Sequence, residues 1–128
     1  MTLILGAAHA GKRDAARKLY GITAFAEGST CSFAQAEDAP AVRDYQLLVR
    51  RLLEAGESPQ DFTKRYLSRH PEGLILMDEI GSGIVPLARE ELIWREEAGL
   101  CARLLAEHAD TVIRVVCGIP QAIKGALP

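Results

Sequence analysis

The stretch GAAHAGKRDAA, Gly6 to Ala16, follows the apolar run Leu3-Ile4-Leu5 and carries glycine, glycine and lysine at the spacing G-x-x-x-x-G-K. That spacing belongs to phosphate-binding loops. The glycines let successive backbone N–H groups turn toward phosphate oxygens, and the following helix N-terminus adds partial positive charge. The candidate phosphate-binding residues are therefore Gly6, Ala7, Ala8, His9, Ala10, Gly11, Lys12 and Arg13, with Lys12 reaching the terminal phosphates as a candidate catalytic cation. The pattern then calls for a Ser or Thr whose hydroxyl sits on magnesium, and this chain has Arg13. A guanidinium has no lone pair for a cation, but it can hold phosphate through two parallel hydrogen bonds. Asp14 is rotated about 100° further round the helix and is a poor substitute ligand; a water molecule suits better. His9 either contacts phosphate or faces solvent.

A second chemistry-bearing stretch is LILMDEIGSGIVP, from Leu74 to Pro86. An acid directly after a buried strand lies at the carboxyl end of a sheet, where ligands bind in open α/β folds. Asp78 and Glu79 are the candidate catalytic acids, able to accept a substrate hydroxyl proton, and Asp78 is the candidate Mg2+ ligand. Gly81 and Gly83 would let backbone approach a ligand. The alternative is that these acids only decorate a turn. The cofactors this chemistry requires are a nucleoside triphosphate, ATP or GTP, and Mg2+.

Bulk composition narrows the partners. Fifteen Lys and Arg against seventeen Asp and Glu give a net charge of −2, without a basic block, which argues against nucleic acid or an acidic membrane surface. No apolar run reaches the roughly 18 residues of a membrane span, and the N-terminus lacks the basic and apolar regions of a signal peptide. Cys31, Cys101 and Cys117 are odd in number and far apart, as expected of reduced, mostly buried thiols in a cytoplasmic protein.

The elements that must position these residues follow from patterning. Leu3 to Leu5 is a short buried strand, and a helix with Ala15, Ala16 and Leu19 inward follows from Asp14. Between Gly21 and Ala39 the pattern is weak: ITAFAEG suggests a short strand, GSTCSF a turn and another extended piece. From Pro40, Val42, Tyr45, Leu48, Val49, Leu52 and Leu53 recur at helical spacing, with Arg43, Arg50 and Arg51 on a solvated face and Gly56 as the stop. Ser58 caps a second helix with Pro59 in its first position, running to about Arg69. LILMDE is a strand, IGSGIVP a loop, and a helix from about Leu87 to His108 turns Trp94, Ala98, Cys101, Leu104 and Leu105 inward. Thr111 to Cys117 is a third strand, in which Arg114 lies either on the ligand side or on an edge. Trp94 reads as core or subunit interface. These elements predict an α/β fold, a P-loop NTPase-like three-layer sandwich with a small, mainly parallel sheet, formed by one nucleotide-binding domain over residues 1–128.

The stretches DEIGSGIVP, WREEAGLCARLLAEHAD and VVCGIPQAIK together resemble the adenosylcobinamide kinase / adenosylcobinamide-phosphate guanylyltransferase family of cobalamin biosynthesis. That family carries N-E-V-G-x-G-I-V-P, a helix with R-D-x-A-G-x-x-N-x-x-L-A, and a terminal V-V-x-G-I-x-x-x-(I/L)-K, whose lysine falls at Lys124. The resemblance implies phosphorylation of a corrinoid's aminopropanol hydroxyl, followed by GMP transfer through a guanylylated histidine. It places Gly6, Gly11 and Lys12 on nucleotide phosphates and Asp78, Glu79 and Gly81 at N-E-V-G. It also implies adenosylcobinamide or a related corrinoid as partner, and a homo-oligomer. The chain has a contracted middle, and none of His9, His70 and His108 falls at the guanylylated position. The expectation is accordingly a corrinoid kinase without an assigned guanylyl transfer; the alternative is a catalytically degenerate nucleotide- or corrinoid-binding regulatory protein.

Overall fold

A computed structural model describes residues 1–80 and 88–128. Six strands form one sheet: β1 (Thr2–Gly6), β2 (Ala26–Glu27), β3 (Ala41–Arg43), β4 (Leu74–Asp78), β5 (Thr111–Val116) and β6 (Ile119–Lys124). They are ordered β2-β3-β4-β1-β5-β6, with every pair parallel except the antiparallel β5–β6 hairpin. Five helices accompany them: α1 (Lys12–Tyr20), α2 (Phe33–Asp38), α3 (Tyr45–Glu54), α4 (Pro59–Arg69) and α5 (Arg89–His108).

The central strands are apolar on both faces because both are covered. Along β4, Ile75 and Met77 join Leu3 and Val42 beneath Tyr45, Leu48, Leu52, Phe62, Tyr66 and Leu105 of α3, α4 and α5. Leu74 and Leu76 alternate to the opposite face, where Ile4, Ile113 and Val115 meet Ala15 and Ala16 of α1. The result is the expected three-layer P-loop NTPase-like sandwich, with a mainly parallel sheet in the middle. The helix at Pro59–Arg69 has the bounds its punctuation predicts, and Ser58 Oγ accepts the Asp61 N–H at 3.2 Å. Gly56 has φ 74°, as a glycine terminating a helix should.

Five expectations change. The short strand suggested in ITAFAEG is β2, but β3 and β6 were not expected, because β3 is too short to show a pattern and β6 pairs only as the returning arm of a hairpin. The supposed extended piece at GSTCSF is a turn followed by α2, started by a capping box in which Ser32 and Gln35 exchange hydrogen bonds at 3.0 Å. The helix expected from Pro40 begins only at Tyr45; Val42 sits in β3 opposite Ile75, where sheet pairing outweighs its accidental helical spacing. The arginines there do not form one solvated face. Arg43 lies in β3, and Arg51 donates to the carbonyls of Gly28 and Cys31 at 2.9 and 2.6 Å and stacks over Phe33. Arg114 is not on an edge strand, since β6 pairs outside β5.

Gly28 continues the parallel pairing of β2 with β3, its N–H bonding the Arg43 carbonyl at 2.9 Å. A Cβ at position 28 would overlap the Asp44 carbonyl and lie 2.6 Å from that of Arg43. Gly28→Ala is expected to destabilise the fold by more than about 2 kcal/mol in urea unfolding, since backbone rather than side chain must yield.

Candidate functional site

The glycine loop turns between the end of β1 and α1. Gly6 cannot carry a side chain without a Cβ 2.7 Å from the Val115 carbonyl, and Gly11 holds φ 103° with the Gly118 Cα 3.2 Å from its would-be Cβ. Between them His9 takes a left-handed conformation (φ 62°), and the Ala10 N–H bonds the Ala7 carbonyl at 3.2 Å. The hairpin turn between β5 and β6 buttresses this loop, its Gly118 N–H donating to Ala10 at 2.8 Å.

Lys12, only 9 % exposed, folds back under the loop. Its Nζ donates to the Ala7 carbonyl at 2.7 Å and the Gly6 carbonyl at 3.2 Å, and pairs with Asp78 Oδ1 at 2.7 Å. Asp78 stands opposite Gly6 in the parallel register of β1 and β4, which puts the acid beside the loop. Glu79, one residue on, does not join it. It meets Arg114 in a two-point ion pair (2.8 and 3.1 Å), which raises the guanidinium pKa, and lines a separate cavity of about 330 Å³ with His9 and Cys117. The two candidate acids therefore serve opposite flanks of the loop.

The larger cavity, about 570 Å³, is walled by Ala8 to Asp14, with Leu76 and Asp78 from β4 and Arg43 and Asp44 from the end of β3. Arg43 and Asp44 are the residues that sequence reasoning missed. Arg43 pairs with Glu27 at 2.9 Å and approaches Asp44 at 3.4 Å. Asp44 precedes α3 in a left-handed conformation (φ 51°) and makes no side-chain cap bond, so its carboxylate remains with the cavity wall. The legible signal was an acid between an apolar pair and a helix; the strand is only three residues long and left no alternation to mark it.

Arg13 is exposed on the wall of this cavity. Asp14 is committed to Arg17 and Lys18 at 2.5 and 2.9 Å, hydrogen bonds that hold its carboxyl below the usual range, so it does not replace the missing hydroxyl. Of the histidines, His9 alone is at the loop: His70 Nε2 lies 2.6 Å from the Glu37 carbonyl and its ring stacks on Tyr66, while His108 Nδ1 is 3.0 Å from the Leu104 carbonyl. Gly81 and Gly83 lie outside the described residues.

Among the described residues no three His, Cys, Asp or Glu side chains gather as a metal centre. Asp44 and Asp78 nevertheless present two carboxylates to one cavity, and Mg2+ is commonly held by one or two carboxylates completed by phosphate oxygens and water. The donor chemistry fits that ion. Amides at the start of α1, the Lys12 ammonium and carboxylates on one cavity wall are of the kind that a polyphosphate carrying Mg2+ demands.

A family model described as cobinamide kinase / cobinamide phosphate guanyltransferase matches residues 45–123, more than half of the chain. The chain belongs to that family. The match to the cobinamide kinase / cobinamide phosphate guanyltransferase model takes in β4 with Asp78 and Glu79, α5 and the β5–β6 hairpin, and begins after the glycine loop. A search of curated proteins gave no match. No helix among the described residues is long and apolar enough to cross a membrane.

Lys124, one residue beyond the matched stretch, donates from Nζ to the carbonyls of Ala106 and Glu107 at 2.9 and 3.0 Å, closing the last turn of α5.

The cysteines differ in chemistry. Cys101 is buried, which pushes its thiol up to about 11, whereas Cys117 is exposed beside the loop. At pH 8 only about one Cys101 in a thousand is thiolate. A thiol-exchange reagent at pH 8 is expected to label Cys117 in the native protein and Cys101 only after denaturation, as peptide mapping checks.

Proposed function

We propose that this chain is a kinase that transfers the terminal phosphoryl group of ATP or GTP to the hydroxyl of a cobinamide-type corrinoid. The observation that carries the reading is the Lys12 ammonium, fixed 2.7 Å from Asp78 beneath a glycine loop at the mouth of a cavity of about 570 Å³. Family membership supplies the substrate class.

The nucleotide phosphates take loop amides between Ala8 and Arg13, other than the Ala10 N–H held by Ala7, as donors. Lys12 exchanges its carbonyl partners for phosphate oxygens while Asp78 keeps it aimed, so little reorganisation remains for the transition state. Asp78 and Asp44 would hold Mg2+ together with phosphate oxygens. Bound there, the ion would supply positive charge against the phosphates. The corrinoid hydroxyl attacks the terminal phosphorus, its O–P bond forms as the bond to the nucleoside diphosphate breaks, and its proton passes to an acid at the cavity wall. Asp78 is on the wall of that cavity, whereas Glu79 lines the other flank with Arg114. Most of the catalysis in such a transfer is placement and charge. Arg13 takes phosphate where other loops place the metal-bound hydroxyl.

Arg13 also favours a second reading, a binder that holds nucleotide or corrinoid without turnover. Purified protein with Mg2+, ATP or GTP, and adenosylcobinamide decides between them: phosphorylated corrinoid and diphosphate support the kinase, and nucleotide binding without either product assigns the binder. In the kinase, Lys12→Ala is expected to lower kcat by about 10²-fold or more. Arg13→Ser restores a hydroxyl and is expected to tighten Mg2+-dependent nucleotide binding measured by calorimetry; unchanged or weaker binding refutes the role given to Arg13.

A further inference from the structure

We infer that Gln46 is a positioning residue that sets both acids of the cavity, Asp78 through its backbone and Asp44 through its side chain. The inference rests on the kinase reading for its consequence in turnover, but on the fold for its geometry.

The sheet has a gap beside the end of β4. β4 pairs with β3 as far as Ile75, opposite Val42. At Asp44 the chain leaves the sheet and turns into α3, so the last residues of β4 have no strand on that side. On the other side the Glu79 N–H bonds the Gly6 carbonyl of β1 at 2.9 Å. Successive N–H groups of a strand point in opposite directions in the sheet plane, so the Asp78 N–H faces the gap. A partly buried donor with no strand beside it is satisfied by a side-chain acceptor.

Gln46, in the first turn of α3 and 3 % exposed, supplies it: its Oε1 accepts the Asp78 N–H at 2.9 Å. The other end of the same amide, Nε2, lies 3.5 Å from Asp44 Oδ1. Only one orientation of the amide serves both partners, since a flip would set N–H against N–H and oxygen against carboxylate. The Gln46 backbone carbonyl accepts the Trp94 indole N–H at 2.7 Å, which anchors α5 to the same turn. Gln46 does not line the cavity. It therefore acts through Asp78 and Asp44, and through Asp78 on Lys12.

Three variants of the full chain test this. Gln46→Met keeps the length and removes both side-chain bonds. Gln46→Glu keeps an acceptor for Asp78 and loses the donor to Asp44. Thr63→Val is the control, equally buried and bonded to Tyr45 Oη and the Pro59 carbonyl at 2.7 Å, away from the cavity. Amide exchange followed by NMR is expected to show the Asp78 N–H exchanging about tenfold faster or more in Gln46→Met, and near the native rate in Gln46→Glu and Thr63→Val. In the kinase assay, Gln46→Met and Gln46→Glu are expected to lower kcat about tenfold or more with nucleotide KM moved less than about threefold, because the loop itself is untouched. Thr63→Val should lower the melting temperature with kcat retained. An Asp78 amide as protected in Gln46→Met as in the native chain overturns the inference, as does a kcat loss in Gln46→Met no larger than in Thr63→Val. Should the native protein show no turnover, the kinase reading fails, and the exchange rates alone still decide whether Gln46 holds Asp78.

Discussion

The parallel pairing of β1 with β4 is the constraint on which the site depends. It sets Gly6 opposite Asp78, and that register brings the acid close enough for Lys12 to meet it at 2.7 Å from the first turn of the next helix. A register slip of one residue would carry Asp78 to the other face of the sheet, because side chains alternate. The register is itself held by burial on both faces, with Leu3 and Ile75 in one core and Ile4 and Leu76 in the other. The packing that stabilises the fold and the geometry that assembles the site are thus the same interaction seen from two ends.

Alternation also explains the division of labour between neighbouring acids. Asp78 turns toward Lys12 and the larger cavity, while Glu79 turns to Arg114 on β5. The loop between them is gripped from three directions: by the Lys12 ammonium beneath, by the Glu79 N–H on the Gly6 carbonyl, and by the Gly118 N–H on Ala10. Backbone amides that must meet an anion benefit from being fixed before it arrives. The β5–β6 hairpin contributes to that fixing without supplying a cation to the larger cavity.

The far wall depends on contacts outside the loop. Gly28 and Arg51 hold the segment before α2 against the end of β3, and this sets Arg43 and Asp44 at the cavity. Lys124 closes the C-terminus of α5, whose Trp94 reaches back to Gln46 at the other end of the same helix. Family membership is carried by this second part of the chain, residues 45–123, whereas the glycine loop lies before it.

Local chemistry made much of this legible. The strand–loop–helix start, the buried run ending in Asp78, the Ser58-Pro59 helix and the inward stripe of α5 are each encoded by neighbours in sequence, where period and capping act over a few residues. The stretches around Asp78, α5 and the terminal Gly-Ile were specific enough to indicate the family. What only the tertiary structure decided is which residues meet across the sheet. The two-residue β2, only suggested by ITAFAEG, and the three-residue β3, which carries no pattern of its own, are held by pairing with neighbouring strands. Asp44 and Arg43 enter the site for that reason, and Glu79 leaves it because Arg114, 35 positions away, stands on the flank it faces. Sequence determines which groups are present and their local conformation; non-local strand pairing determines which of them share a cavity.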